Sequence, residues 1–148
     1  MNLKKLLSED TIIVDLKGTT KEEIIEEMID LLMARGRIKD RVAALRAVLD
    51  REQKMSTGMQ HGIAIPHGKT DSVEKLATAL ALKKEGVDFA SMDGKPSTIF
   101  VMTISSISRT GPHIQFLSEI SQILNDSEKR ERILKSTTAA EVLDVLTN

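Results

Sequence analysis

A three-layer α/β/α domain with a mixed central sheet is the fold class that three features of this sequence predict. Helical periodicity occupies both ends of the chain, and short β-branched or apolar runs occupy its middle. One of those runs, Ile99-Phe100-Val101-Met102-Thr103-Ile104, is apolar on both faces, as a strand covered from both sides must be. The 148 residues contain no internal repeat, low-complexity tract or Pro/Ser-rich linker, so residues 1–148 read as one domain. A chain of this length buries roughly 68–70% of its unfolded surface around a core.

The elements follow in order. After a short amphipathic turn at the N-terminus, Thr11-Ile12-Ile13-Val14 has the β-branched density of a strand. Thr19 and Thr20 offer N-caps, with Glu22 and Glu23 each three residues on as capping-box partners. The helix they open carries an apolar stripe of Ile24, Ile25, Met28, Leu31 and Leu32 and stops at Gly36. Asp40 caps a second helix reaching about Asp50, with Val42, Leu45, Val48 and Leu49 expected inward. The segment from Gly58 to Asp71 is loop-like around a short strand, Ile63 to Ile65, that ends at Pro66. Leu76 to Leu82 alternates large Leu or Thr with Ala, and Asp93-Gly94 turns the chain between Val87-Asp88-Phe89 and the central run. Three helices complete the chain: about Pro112 to Asn125, with Ile114, Leu117, Ile120 and Leu124 on one face, then Ser127 to Lys135, then Ala139 to Leu146.

Composition removes several functions. Lys and Arg number 21 against 22 Asp and Glu, and the three aromatic residues are all Phe, so there is no global positive field to gather nucleic acid and almost nothing to stack on its bases. The absence of cysteine excludes disulfides, thiolate metal sites and thiol catalysis, and is compatible with a reducing cytosol. Met1 to Ser8 has a small positive cluster without an apolar signal-peptide region. No stretch approaches the ~18 apolar residues of a membrane span, so a cytoplasmic protein without membrane insertion is expected.

Two of the three histidines stand where chemistry is feasible. His67 follows Pro66 and precedes Gly68, so its imidazole is expected at a strand end, with a fixed φ on one side and permissive backbone on the other. The plainer reading is a surface loop histidine with no chemical role. His113 follows Gly111-Pro112 in the first turn of a helix, whose positive end disfavours the imidazolium and welcomes an anion. Here the plainer reading is a half-buried histidine bonded to a loop carbonyl. The hydroxyl-rich loop Ser105-Ser106-Ile107-Ser108-Arg109-Thr110 before it leaves a central strand, a usual place for sites in α/β domains.

Familiar alternatives fail on spacing. Gly62 to Thr70 ends in Gly-Lys-Thr like a P-loop, but five residues separate the glycines and Pro66 lies among them. His61, His67 and Asp71 have no established zinc-ligand spacing, and no G-x-S-x-G elbow supports a serine hydrolase.

The run Ser56-Thr57-Gly58-Met59-Gln60-His61-Gly62-Ile63-Ala64-Ile65-Pro66-His67-Gly68-Lys69 closely resembles the S-T-G-x-x-x-G-I-A-I-P-H-G-K signature of enzyme IIA domains of the fructose/mannitol type, from the phosphoenolpyruvate-dependent sugar phosphotransferase system. Arg51 matches the family's upstream R-E segment, Asp93-Gly94-Lys95-Pro96 its D-G-x-P turn, and His113-Ile114-Gln115-Phe116-Leu117 its second histidine opening a helix. The resemblance covers essentially the whole chain. His61, where the family more often has a small or amide residue, and the loop from Ile107 to Thr110 depart from it.

The resemblance implies a phosphoryl carrier in which His67 accepts phosphate from an HPr-like phosphocarrier protein and passes it to a cysteine of a IIB domain or subunit. It further implies association with a membrane IIC transporter and no metal or cofactor. Arg51 would hold the phosphoryl oxygens and His113 orient the phosphohistidine, with Ser56, Thr57 and Lys69 as lesser phosphate contacts. Read without the family, Arg51 is also a solvated cation at a helix end. The nitrogen-regulatory IIA-like proteins carry the same motif, so the alternative is a regulator whose His67 phosphorylation state controls binding to partners.

Overall fold

The computed structural model describes residues 3–148, the side chain of Lys4 excepted; Met1 and Asn2, at the start of the N-terminal cluster read above, lie outside it. Helix α1 (Leu3–Leu6) and a 3₁₀ turn (Glu9–Thr11) lead into strand β1 (Ile12–Ile13). Helices α2 (Lys21–Ala34) and α3 (Arg41–Lys54) come next. The strands β2 (Ile63–Ala64), β3 (His67–Thr70), β4 (Ala77–Val87) and β5 (Ser97–Ser106) precede helices α4 (Gly111–Leu124), α5 (Ser127–Lys135) and α6 (Ala139–Thr147). The sheet runs β1-β4-β5-β2, with β3 also on β5. Only the β4–β5 ladder is antiparallel among these pairs, so the sheet is mixed.

Side-chain alternation builds two cores, one on each face of the sheet. Ala77, Ala79 and Ala81 of β4 share a face with Phe100, Met102 and Ile104 of β5, and α2 and α3 cover it with Ile24, Ile25, Met28, Ile29, Leu32, Ala44 and Val48. In the register, Ala81 opposes Phe100 and Ala79 opposes Met102, so small residues leave room for large ones. Leu80, Leu82, Ile99 and Val101 point to the other face, closed by Leu7 and by Phe116, Ile120, Ile133, Val142 and Leu146 from α4, α5 and α6. The result is the three-layer α/β/α arrangement with a mixed central sheet.

Helix boundaries follow their caps. Thr20 accepts a hydrogen bond from the Glu23 amide while the Glu23 side chain returns to Thr20, and Gly36 beyond the helix takes a φ of 70°. Asp40 accepts from Ala43 to open α3, which runs past the expected Asp50 to Lys54 and so takes in Arg51 and Glu52.

Two inward positions require correction. Val42 is 62% exposed, because α3 packs on the sheet through Ala44 and Val48. Ile114 is 64% exposed, because the inward position in the first turn of α4 belongs to His113, followed by Phe116, Ile120 and Leu124.

Candidate active site

The signature segment folds as a hairpin that delivers His67. The Ile65 amide donates to the Thr57 carbonyl at 3.0 Å and the Met59 amide to the Ile63 carbonyl at 2.7 Å. At the tip, His61 and Gly62 have φ of 65° and 75°, a left-handed pair that tight hairpins require. The return limb becomes β2. Pro66 has no amide hydrogen, so the ladder is interrupted there, yet the register against β5 is unbroken: Ile63 opposes Ile99 and His67 opposes Thr103. His67 therefore stands at the first position of β3, where the edge strand resumes after the break at Pro66.

Alternation then separates the neighbours. Gly68 faces α3, where an added Cβ would meet the Ala47 carbonyl carbon and the Val48 nitrogen at 2.8 Å. His67 faces the other way, toward α4, and its ring centroid lies 5.4 Å from that of His113.

His67 Nδ1 lies 2.8 Å from the Ile65 carbonyl oxygen. A carbonyl can only accept, so Nδ1 holds the hydrogen and the lone pair resides on Nε2. Burial holds the pKa of His67 below the ordinary 6.5; the Ile65 carbonyl opposes this, while the nearby positive charge of Arg51 adds to it. The ring is neutral at pH 7 and presents Nε2 as its nucleophilic atom. His113 is 7% exposed and its pKa is pushed down to about 4, mainly by burial and further by His67 and Lys69. Its Nδ1 stands 3.1 Å from Thr103 Oγ1, not against a loop carbonyl.

The remaining predicted residues divide. Arg51, in the last turn of α3, donates through Nη1 to the Met55 carbonyl at 2.8 Å, as a cation at a helix C-terminus does, and its charge reaches His67. Lys69 is exposed on β3 two residues beyond His67 and acts electrostatically on both histidines. Thr57 is buried; its amide and hydroxyl both donate to Glu52, at 2.8 and 2.5 Å. Ser56 donates its hydroxyl to the Phe89 carbonyl at 2.5 Å and accepts from the Gly58 amide. The hydroxyl hydrogens of Ser56 and Thr57 are thus committed inside the protein, while the ammonium hydrogens of Lys69 remain in solvent.

Two residues of this site were not singled out by sequence. Glu52 is 7% exposed and pairs with Lys21 Nζ at 3.0 Å, and Lys21 also lies 4.9 Å from the Phe89 ring centre. Glu52 follows Arg51 directly, so the R-E segment itself was its signal. Thr103 had a fainter one, a hydroxyl inside a run apolar on both faces. Among the described residues no three His, Asp or Glu side chains cluster to hold a metal ion, and no helix is long and apolar enough to cross a membrane.

A neutral imidazole with a directed lone pair, a second neutral imidazole beside it and two nearby cations form a site fit for nucleophilic attack on an anionic centre. Over 127 residues the chain is 42% identical to the fructose-specific EIIA component of Haloferax volcanii, covering 86% of this chain and 82% of that protein. It is 36% identical over 146 residues to the fructose-specific EIIABC component of Bacillus subtilis, covering 99% of this chain but only 23% of that longer protein. The nitrogen regulatory protein IIA-Ntr of Neisseria meningitidis superposes with a TM-score of 0.90 at 28% identity, over 98% of this chain and 99% of that one. IIA mannitol from Escherichia coli, solved in complex with phosphorylated enzyme IIB, gives 0.81 at 28% identity over 95% and 96%. A sequence model described as phosphoenolpyruvate-dependent sugar phosphotransferase system, EIIA 2, matches residues 5–148, and with the two histidines in place the chain belongs to that family of phosphoryl carriers.

Proposed function

We propose that His67 is the phosphoryl acceptor of this carrier, taking the group from the phosphohistidine of an HPr-like protein and passing it to a cysteine of a IIB domain or subunit in uptake of a sugar of the fructose/mannitol type. The observation that carries this reading is the Ile65 carbonyl bound to Nδ1, which leaves the lone pair on Nε2. As the new P–N bond forms at Nε2, the donor's P–N bond breaks and its electron pair returns to the donor imidazole. Positive charge building on the His67 ring is drawn to Nδ1–H, where the Ile65 carbonyl meets it. Arg51 keeps guanidinium hydrogens beyond those given to Met55 and, with Lys69, offsets the charge of the phosphoryl oxygens. The cysteine thiolate then attacks phosphorus and the P–N bond to His67 breaks. The reading adds a cytoplasmic location and, through IIB, association with a membrane IIC transporter.

A second reading is supported by the likeness to the nitrogen regulatory protein, the highest TM-score of the structures compared above. In it, phosphorylation of His67 controls binding to regulatory partners and no sugar is involved.

The test uses phosphoenolpyruvate, enzyme I and HPr. The expected product is one acid-labile, alkali-stable phosphoryl group per chain, absent from a folded His67→Ala variant and transferable to purified IIB. Stoichiometric labelling of that variant overturns the assignment. A phosphoprotein that transfers to no IIB yet changes its affinity for a regulatory partner selects the second reading.

A further inference from the structure

We infer that Thr103 is a positioning residue of the site: its hydroxyl donates to Nδ1 of His113 and fixes that ring as the Nε2–H tautomer. Thr103 sits within β5, fully buried, with His67 opposite on one side and Thr78 opposite on the other. A threonine hydroxyl has one hydrogen to give. Among the described residues, the only partner within reach is His113 Nδ1, at 3.1 Å. Thr78, opposite on β4, gives its own hydrogen to the Leu6 carbonyl, and no hydrogen bond joins it to Thr103.

The two tautomers of His113 are therefore unequal. With hydrogen on Nδ1, the ring would donate to Thr103 and leave the threonine hydrogen buried without an acceptor, a cost the protein does not bear in the other arrangement. With the lone pair on Nδ1, the threonine hydrogen has its acceptor and the ring hydrogen lies on Nε2, at the ring edge away from Thr103. The two histidines are then set in opposite senses. The Ile65 carbonyl makes Nε2 of His67 a lone pair, and the Thr103 hydroxyl makes Nε2 of His113 a donor. A phosphoryl oxygen carried on His67 meets a hydrogen from the neighbouring ring instead of a second lone pair, without the ring having to be charged. This consequence for phosphate rests on the function proposed above; the tautomer itself does not.

Ser105 gives an internal control. It follows two positions along the same strand face, is 1% exposed, and its hydroxyl has no partner.

The experiment is a long-range ¹H–¹⁵N correlation of protein labelled with ¹⁵N-histidine, on the wild type and on T103V, T103S and S105A, followed by transfer kinetics. In the wild type, T103S and S105A, His113 is expected with an unprotonated Nδ1 and a protonated Nε2. In T103V, which keeps the shape but not the hydroxyl, the Nδ1–H form is expected to appear, and transfer from His67 or phosphoprotein lifetime to change about three- to tenfold, as the loss of one hydrogen bond implies. A wild-type His113 protonated at Nδ1 overturns the inference even if no variant folds. So does a T103V His113 that stays wholly Nε2–H, or a changed tautomer with unchanged transfer. Failure of the wild type to accept phosphate at all refutes the proposed function and leaves the spectra to judge the tautomer alone.

Discussion

Acid should weaken this fold through His113 before it weakens it through carboxylates. The ring lies buried among α4, β5 and His67, and its pKa falls from 6.5 to about 4 on folding. Because the folded value is the lower one, the unfolded chain takes up the proton first. Stability is therefore whole above pH 6.5 and drains away as pH falls toward 4. At about 1.4 kcal/mol per tenfold change, the whole gap is worth ~3 kcal/mol, of which ~2 kcal/mol is gone by pH 5. His67, also lowered by burial, pulls in the same direction. The lowered carboxyls, Asp10 and Glu23, start from 3.8 and 4.5 and respond mainly below pH 5. Urea unfolding of the wild type at pH 7 and pH 5 should show the loss, and His113→Asn, which keeps an acceptor for Thr103 but does not titrate there, should recover roughly 2 kcal/mol of it. Equal losses in the two proteins would refute the assignment of a buried, neutral His113.

Two further perturbations probe the scaffold under the site. Gly68→Ala drives a methyl group into the backbone of α3 at Ala47 and Val48, and should cost ~1–3 kcal/mol in urea unfolding; a change near zero would mean that the helix yields freely. Glu52→Gln removes the charged acceptor of Thr57 and the partner of Lys21, and should cost ~1.5–3 kcal/mol while lowering the NMR titration midpoint of His67, since the Glu52 charge favours its protonated form. A midpoint that stays or rises would show that the charge does not reach the ring.

The parts of the fold that local chemistry decides were legible in the chain. The Thr20–Glu23 capping box, the Asp40 cap and the Gly36 stop mark helix ends by hydrogen bonds between residues three or four apart, which spacing alone reveals. The large-small alternation from Leu76 to Leu82 likewise marked the two faces of β4. The phase of a helix against the rest of the domain is different, because it depends on what lies across the interface. Ile114 and His113 are both plausible inward residues by period, and Thr103 on β5 decides between them by offering His113 a partner. Val42 lost its place for a similar reason: the side of α3 that turns inward is the one that fits closely over Gly68.

The site shows the same division. His67 was legible because Pro66 and Gly68 bracket it, and the two act differently, Pro66 by interrupting the ladder and Gly68 by admitting α3 on the opposite face. His61 takes a left-handed φ of 65° at the hairpin tip, a backbone region in which Asn, Asp and His are enriched among the non-glycine residues. The signals of Glu52 and Thr103 were too faint to rank them by sequence, because their importance lies in contacts between different elements, with Lys21 of α2 for one and His113 of α4 for the other. Both act by restricting something already visible: Glu52 holds Thr57 at the base of the hairpin that carries His67, and Thr103 holds the ring that faces it. It follows that the Ile-Pro-His-Gly motif alone is an incomplete description of the site. A chain with Ile-Pro-His-Gly intact but apolar residues at 52 and 103 would keep the His67 lone pair while losing the supports that fix its approach and its neighbour's polarity.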